Sequence, residues 1–304
     1  MTENEDEEDY EDGVKTSIAL YAGMGGFIVL TQIIAVLLAI LTDIEPAFEN
    51  PESMWNPIYF FVTIMIFTAL ILLVFKFGGD KLVYFVMLAA VAVTIYYVMV
   101  AVEALICSFM KGASVQIYGM LQLVQPYSVL PVVLTIILTL LLYKYPEWYV
   151  LDATGVIIAG GATAIFGVSL GIVPVLLLMI MLAIYDAIAV YKTKHMVSLA
   201  ESIVDLRVPI LFVLPRKRKF SLLKNGDMDE AFYMGLGDAI IPSILVVSAF
   251  VTYPSAAPAL GTVIGILVGY TALTRLAGRG TPHAGLPFLN SGAIIGFVVG
   301  VLLC

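Results

Sequence analysis

Two aspartates, Asp186 and Asp238, stand inside otherwise apolar stretches of the sequence. If those stretches cross a membrane, the carboxylates are costly to place there, and such residues usually serve a function. Two carboxylates that met would share one proton, because like charges repel. The ionised group could then take a proton from water while its protonated partner polarised a carbonyl. The residue types therefore indicate acid-base hydrolysis that needs no metal ion or other cofactor.

The composition places both acids in a membrane protein. Of the 304 residues, 61% are hydrophobic and 12% are charged, more apolar content than a soluble domain of this length buries. Hydropathy predicts nine spans, at residues 17–42, 57–77, 81–107, 127–143, 150–168, 171–191, 233–252, 258–276 and 284–304. The fifth, which carries Asp152, is the weakest and could tilt, break or merge with the sixth. The predicted fold is an all-α polytopic membrane protein.

A long inner loop divides the nine predicted helices into six followed by three. The predicted parts are a disordered acidic tail, a six-helix part, the loop and a three-helix part, at residues 1–15, 17–191, 192–232 and 233–304. Disorder is expected for the tail because its block of acids, from Glu3 to Asp12, repels itself. Within the loop, Val208 to Leu214 is too short to span. This run would lie at the membrane interface or form a strand that pairs with an unwound peptide.

The basic residues predict the orientation of the chain in the membrane. With the N-terminus inside, 14 of the 15 Lys and Arg residues fall in inner segments, and Lys111 is the exception. The first outer loop carries acids and no base. Because cytoplasmic segments are enriched in Lys and Arg, we expect a multi-pass protein of the cell membrane with a cytoplasmic N-terminus and an extracellular C-terminus.

Asp186 and Asp238 lie at matching depths on consecutive spans. Span six runs inward and span seven runs outward, and each aspartate lies five residues from the inner end of its span. At about 1.5 Å per residue, both lie roughly 7 to 8 Å from the inner boundary. The other acids within spans, Glu103 and Asp152, lie near span ends. There we expect them to reach water and to serve structural or interfacial roles.

Short motifs surround the two aspartates. The first reads Tyr185-Asp186 and the second reads Gly235-Leu236-Gly237-Asp238. They resemble the YD and GxGD motifs of the presenilin and signal peptide peptidase family of intramembrane aspartyl proteases. The glycines would let a substrate backbone come close, although glycine also serves ordinary helix packing. Tyr185 could hydrogen-bond near the dyad or belong to an interfacial aromatic belt.

The third motif of this family, PAL, is expected at the inner start of the last span. A literal Pro258-Ala259-Leu260 begins span eight on the outer side, which is the wrong face for this site. The inner start of span nine reads Leu286-Pro287-Phe288-Leu289, and we take it as the motif, with Phe replacing Ala. Pro287 lacks an N–H and would leave a carbonyl free to orient a substrate or the dyad, or it is a simple helix-start proline.

The resemblance implies an intramembrane aspartyl protease of prokaryotic or archaeal type. Asp186 and Asp238 would form its catalytic dyad and cut transmembrane segments of other membrane proteins with water. Its expected partners are substrate helices and the lipid bilayer, not nucleic acid. The alternative is a secondary transporter that binds a proton or cation at the two aspartates, although the sequence shows no repeated halves. A zinc protease is excluded because HExxH is absent.

Overall fold

The computed structural model describes residues 2–42, 44–77, 79–110, 129–193, 211–216, 220–222, 231–277 and 283–304. These residues form nine helices and two short strands. In chain order the elements are α1 (Thr2–Leu41), α2 (Trp55–Lys76), α3 (Asp80–Met110), α4 (Val129–Lys144), α5 (Trp148–Ser169), α6 (Ile172–Ile188), β1 (Leu211–Pro215), β2 (Ala231–Gly235), α7 (Leu236–Thr252), α8 (Ala257–Ala277) and α9 (Leu286–Leu302). A π-helical turn, Ala189–Thr193, follows α6.

The helices coincide with the predicted spans in order and approximate position. Five stretches are long and apolar enough to cross a membrane: Leu20–Leu41, Lys81–Glu103, Trp148–Ser169, Ile172–Lys192 and Ala257–Leu276. The apolar stretches of α2, α4, α7 and α9 are shorter. Large apolar side chains point outward around the bundle, and Ile33, Phe67 and Ile295 are 51%, 59% and 65% exposed. An apolar outer surface on helices fits a lipid environment. The chain is therefore a mostly helical, multi-pass membrane protein.

The first helix is longer than the sequence predicts. Disorder is expected for residues 1–15, but α1 begins at Thr2 and continues without a break to Leu41. Glutamate has a high helix propensity, and acidic residues near a helix N-terminus interact favourably with the helix dipole. These local preferences favour a helix where repulsion alone predicts disorder.

The helix that carries Asp238 begins later than predicted. The seventh span is predicted from residue 233, but Ala231–Gly235 forms β2 and α7 begins at Leu236. β2 pairs antiparallel with β1, and Val213 lies opposite Tyr233. The prediction of an all-α fold is therefore wrong in this detail. Residues 211–214 do form a strand, but its partner is β2 and not a substrate peptide, and 208–210 lie outside the described residues.

Helix α5 lies in the interior of the bundle, although its sequence is the least convincing span. A Cβ on Gly160 would lie 2.6 Å from Ile34 Cγ2 of α1, and a Cβ on Gly161 would collide with Val98 of α3. The two glycines therefore allow neighbouring helices to approach closely. The expectation that Asp152 reaches water is wrong, because its side chain is only 4% exposed. Asp152 lies under β1, where it accepts a hydrogen bond from the Val213 N–H. The fifth span remains separate from the sixth.

Helices α8 and α9 pack with their backbones in direct contact. Glycines recur at every fourth residue along both facing surfaces: Gly261, Gly265 and Gly269 on α8, and Gly292, Gly296 and Gly300 on α9. A Cβ on any of them would collide with backbone atoms of the opposite helix. Such repeats of small residues let membrane helices interact over a long surface. This contact fixes α9, whose first residues belong to the site described below.

The long inner loop is described only in part. From the predicted segment 192–232 the structure describes 192–193, 211–216, 220–222 and 231–232. Glu147, just before α5, accepts hydrogen bonds from Ser221 Oγ and the Leu222 N–H at 2.6 and 3.1 Å. Helix α7 packs against α1, α5, α6, α8 and α9, so helices from both sides of the loop share one core. The division into six and three helices is a division along the sequence and stays a prediction.

Candidate active site

Asp186 lies on the buried face of α6, in its last turn. Leu178 and Leu182 precede it at intervals of four residues, which places the three side chains on one helix face. They are 0%, 4% and 7% exposed, from Leu178 to Asp186. After Ile188 the helix widens into the π-helical turn, a feature that is frequent at functional sites. The aspartate therefore faces the protein interior and not lipid.

Asp238 occupies the first turn of α7. Gly235, the last residue of β2, caps this helix, and Asp238 follows three residues later. The unpaired N–H groups and the dipole at a helix N-terminus favour a carboxylate at this position. Pro242 lies inside α7, four residues further on. Because proline has no N–H, the Asp238 carbonyl lacks its usual helical donor, a feature that the sequence analysis did not find.

The two carboxylates meet at the residues that begin α9. The Leu286 N–H donates a hydrogen bond to Asp186 Oδ2 at 3.1 Å. A Cβ on the neighbouring Gly285 would lie 2.9 Å from Asp238 Oδ2 and 3.0 Å from Oδ1. The Gly285 backbone also hydrogen-bonds Asp186, so Gly285 lies between the two carboxylates, which interact electrostatically. The structure brings Asp186 and Asp238 together as a pair.

Two further hydrogen bonds hold the start of α9 against α6 and its π-helical turn. The Ala284 N–H donates to the Tyr191 hydroxyl at 3.3 Å. Asn290 is 1% exposed, and its Nδ2 donates to the Met179 carbonyl at 2.9 Å. Sequence reasoning missed Asn290 because it considered only ionisable residues. A buried amide within a predicted span is the signal that would have found it, since such side chains usually bond across helices.

The residues of the GxGD-like motif differ in their surroundings. Gly237 is exposed, and a Cβ there would meet no atom of the described residues within 4 Å. A Cβ on Gly235 would make an ordinary contact with Asp238 Oδ2 at 3.5 Å. Leu236 is 5% exposed and packs against Gly155 of α5. Among the described residues nothing fills the space beside Gly237, which leaves room for a peptide backbone next to the acid.

The remaining motif residues lie around the same site. Tyr185 packs edge-on against Phe61 of α2, with ring centroids 6.2 Å apart. Pro287 stands in the first turn of α9, where no intrahelical N–H bond is lost. The N–H groups of Phe288 and Leu289 both donate to the Gly285 carbonyl at 3.2 Å. The helix-start explanation therefore accounts for Pro287, and a role in orienting a substrate stays a prediction.

The literal PAL sequence lies far from the aspartates. A Cβ on Gly300, near the end of α9, would lie 2.7 Å from Pro258 Cα. Leu286, which bonds Asp186, is at the other end of the same helix. Pro258-Ala259-Leu260 and the dyad are therefore at opposite ends of α9, as the sequence predicts.

The chemical groups at this site are carboxylates, backbone amides and hydroxyls. Among the described residues, no group of three or more His, Cys, Asp or Glu side chains could hold a metal ion. Of two adjacent carboxyl groups, one can activate water and the other can protonate a carbonyl oxygen. The geometry thus fits acid-base hydrolysis of a peptide bond.

Comparison with known proteins assigns the chain. A family model described as signal-peptide peptidase, presenilin aspartyl protease matches residues 25–304. The chain belongs to this family. Two solved structures of a presenilin family intramembrane aspartate protease, in space groups C222 and P2, are 34% and 35% identical to it. Each alignment covers 93% of this chain. It covers 99% and 97% of the two solved chains, with TM-scores of 0.68 and 0.65. No curated protein sequence matches.

Membership of the presenilin family confirms the resemblance on which the sequence analysis relied. It also confirms that the chain is an aspartic endopeptidase of the intramembrane class. The comparisons do not favour the transporter alternative. The roles of individual residues, however, rest on the geometry above.

Substitution of Gly285 tests that geometry in this presenilin-family protease. We expect Gly285→Ala to lower the cleavage rate by about 10²-fold, because the methyl group would push the Asp238 carboxylate away from Asp186. The free energy of unfolding should change little, since the displaced atoms end a side chain. Initial rates on a reporter transmembrane peptide, with thermal unfolding in parallel, measure both.

A matched control for Gly285→Ala is Gly25→Ala on α1. Gly25 is also buried, but a Cβ there would make an ordinary contact with the Tyr270 ring at 3.4 Å. This variant should cleave at the wild-type rate. Wild-type activity in Gly285→Ala would mean that the Asp238 carboxylate does not work from its position beside Gly285.

Proposed function

We propose that this chain hydrolyses peptide bonds within the transmembrane segments of other membrane proteins, with Asp186 and Asp238 as its catalytic dyad. The observation that carries the proposal is the meeting of both carboxylates at Gly285 and Leu286. Membership of an aspartyl protease family supports it. The two solved relatives are themselves described as intramembrane aspartate proteases.

The proposed reaction is a direct attack of water on the scissile carbonyl. One carboxylate takes a proton from the water molecule, whose oxygen forms a bond with the carbonyl carbon. The other carboxyl group gives its proton to the carbonyl oxygen. The carboxyl group that took the proton of water then gives it to the leaving nitrogen as the C–N bond breaks. The other carboxylate takes a proton back from a hydroxyl group of the intermediate, which re-forms a carbonyl and restores the dyad. The Leu286 N–H holds the Asp186 carboxylate in place during these steps.

The proposed membrane arrangement has nine spans, with a cytoplasmic N-terminus and an extracellular C-terminus. Five stretches of sufficient length and four shorter apolar helices support this number. The distribution of Lys and Arg supports the orientation. In this arrangement the dyad lies near the inner side. Substrates would enter laterally from the bilayer with their N-termini outside.

The sheet offers one edge to an unwound substrate. The outer edge of β1 is blocked, because its Val213 N–H is bonded to Asp152 and Pro215 has no N–H. The outer edge of β2 carries the backbone groups of Tyr233, which point away from β1 as those of its partner Val213 do. A substrate strand added to β2 would end beside Gly235 and Gly237, next to Asp238. We therefore place substrate pairing at β2.

A cleavage assay in liposomes tests the proposed function. Purified protein is reconstituted with single-span peptides, and products are identified by mass spectrometry in water enriched in ¹⁸O. We expect cuts within the membrane segment and one ¹⁸O atom in each new carboxyl terminus, because water supplies that oxygen. A proton or cation flux that depends on the dyad, with every peptide left intact, would support a transporter instead.

A further inference from the structure

A third carboxylate, outside the dyad, is buried beneath the sheet. Asp152 lies in the second turn of α5 and is 4% exposed. Its Oδ1 accepts a hydrogen bond from the Val213 N–H at 2.7 Å, while its Oδ2 has no partner among the described residues. Burying a carboxylate with one unsatisfied oxygen is costly. The bond to β1 is the contact that compensates for this cost.

Strand β1 is held in one position by packing against helices α5 and α1. Phe212 is fully buried and lies over Gly155, where a Cβ would come within 3.2 Å of its ring. The same ring stacks on Phe27 of α1, with centroids 4.9 Å apart and planes 11° from parallel. Asp152 and Gly155 are three residues apart and share one face of α5. This face therefore supplies both a hydrogen-bond acceptor and a close packing surface for β1.

A short path of contacts connects Asp152 to the dyad. Val213, which Asp152 holds, lies at the centre of β1 opposite Tyr233 of β2. β2 ends at Gly235, and α7 begins with Leu236, only two residues before Asp238. Leu236 itself packs against Gly155, where a Cβ would lie 3.5 Å from Leu236 Cδ1. A shift of β1 would therefore be passed to the first turn of α7 and to the Asp238 carboxylate.

We propose that Asp152 is a positioning residue for the catalytic dyad. Its carboxylate fixes β1, β1 fixes β2, and β2 sets the place of Asp238 relative to Asp186. It does not touch the reacting atoms. This inference rests on the proposed function of the dyad, because it states how one of the two catalytic groups is held in place.

Substituting Asp152 with Leu and with Asn separates its hydrogen bond from its bulk. Leu has a similar shape but no acceptor, so Asp152→Leu should lower kcat by about 10²-fold as the dyad loses its alignment. Asn keeps an oxygen that can accept from Val213, so Asp152→Asn should stay within about threefold of wild type. KM should change less than kcat, because the lost alignment of the dyad acts on the chemical step, while the edge of β2 that we assign to the substrate keeps its backbone groups.

The matched control is Thr163→Val on the same helix. Thr163 is fully buried, and its hydroxyl has no partner among the described residues. Val has the same shape, so this change alters the polarity of α5 without removing a hydrogen bond. It should cleave at the wild-type rate. If Asp152→Leu also cleaves at that rate, the inference fails while the proposed function stands.

Hydrogen exchange gives a readout that needs no activity. In the substrate-free protein, the Val213 amide should exchange at least tenfold faster in Asp152→Leu than in wild type or Asp152→Asn. If Asp152→Leu does not fold, Val213→Pro is the second variant, because it removes the N–H that donates to Asp152. That N–H points away from β2, so the pairing of the two strands is kept. Normal kcat in folded Val213→Pro, or unchanged exchange in Asp152→Leu, overturns the inference. A wild type that cuts no peptide overturns the proposed function instead.

Discussion

Cleavage of a reporter transmembrane peptide is expected to fall by about 10⁴-fold or more in both Asp186→Asn and Asp238→Asn. An amide can neither take a proton from water nor give one to a carbonyl oxygen. Because the two carboxylates meet at Gly285 and Leu286, they act as one unit. The double variant should therefore be no slower than the slower single variant, which is a strong departure from additivity.

The dyad variants should fold normally, because Asn has the shape of Asp. In Asp186→Asn the amide oxygen can still accept the Leu286 N–H. Glu45→Gln, at an exposed acid far from the dyad, is the control for the chemical change itself. Single-turnover rates and thermal unfolding would be measured for the wild type and all four variants. Residual cleavage near the wild-type rate in either single variant would remove that residue from the dyad.

The positions of the two acids could be predicted from the sequence because lipid makes charge rare. Within an apolar span almost every residue is interchangeable with another apolar one, so an aspartate is conspicuous there. Helix geometry then gives its depth, and the alternation of spans gives its direction. The same helical spacing places Asp186 on one buried helix face with Leu178 and Leu182.

The partners of the two acids could not be predicted, since they come from distant parts of the chain. The Leu286 N–H that bonds Asp186 is 100 residues away in sequence. Asn290 contacts the Met179 carbonyl at a separation of 111 residues. No local pattern encodes such contacts, because they depend on which helices pack together. The missing helical donor to the Asp238 carbonyl, by contrast, is a local feature. It could have been predicted from Pro242, because proline within a helix has no N–H.

The weakness assigned to α5 shows the limit of hydropathy as a guide. A hydropathy scale compares each residue with lipid, so it penalises Asp152 and the Gly160–Gly161 pair. Helix α5 instead faces other protein elements, where the glycines admit α1 and α3 and the aspartate bonds β1. The features that made α5 a poor span are the ones that fit it for the centre of the bundle.

The contact between α8 and α9 should be the most sensitive packing surface of the described structure. A Cβ on Gly265 would overlap the Gly292 carbonyl and lie 3.0 Å from Gly296 Cα. Backbone atoms cannot rotate away, so the two helices must separate along their length. We expect Gly265→Ala to lower the free energy of unfolding by about 1–3 kcal/mol. Cleavage should fall as well, because α9 carries the Leu286 amide that holds Asp186.

Gly26→Ala makes the same chemical change without the collision. Gly26 lies on α1 and is exposed, and a Cβ there would meet nothing within 4 Å in the part of the chain that the structure describes. Alanine favours a helix over glycine, so this variant should gain up to about 0.5–1 kcal/mol. Unfolding in mixed detergent micelles should therefore move in opposite directions for the two substitutions. A shift of the same sign and size in both would show that helix propensity, rather than contact between α8 and α9, decides the stability of these glycine positions.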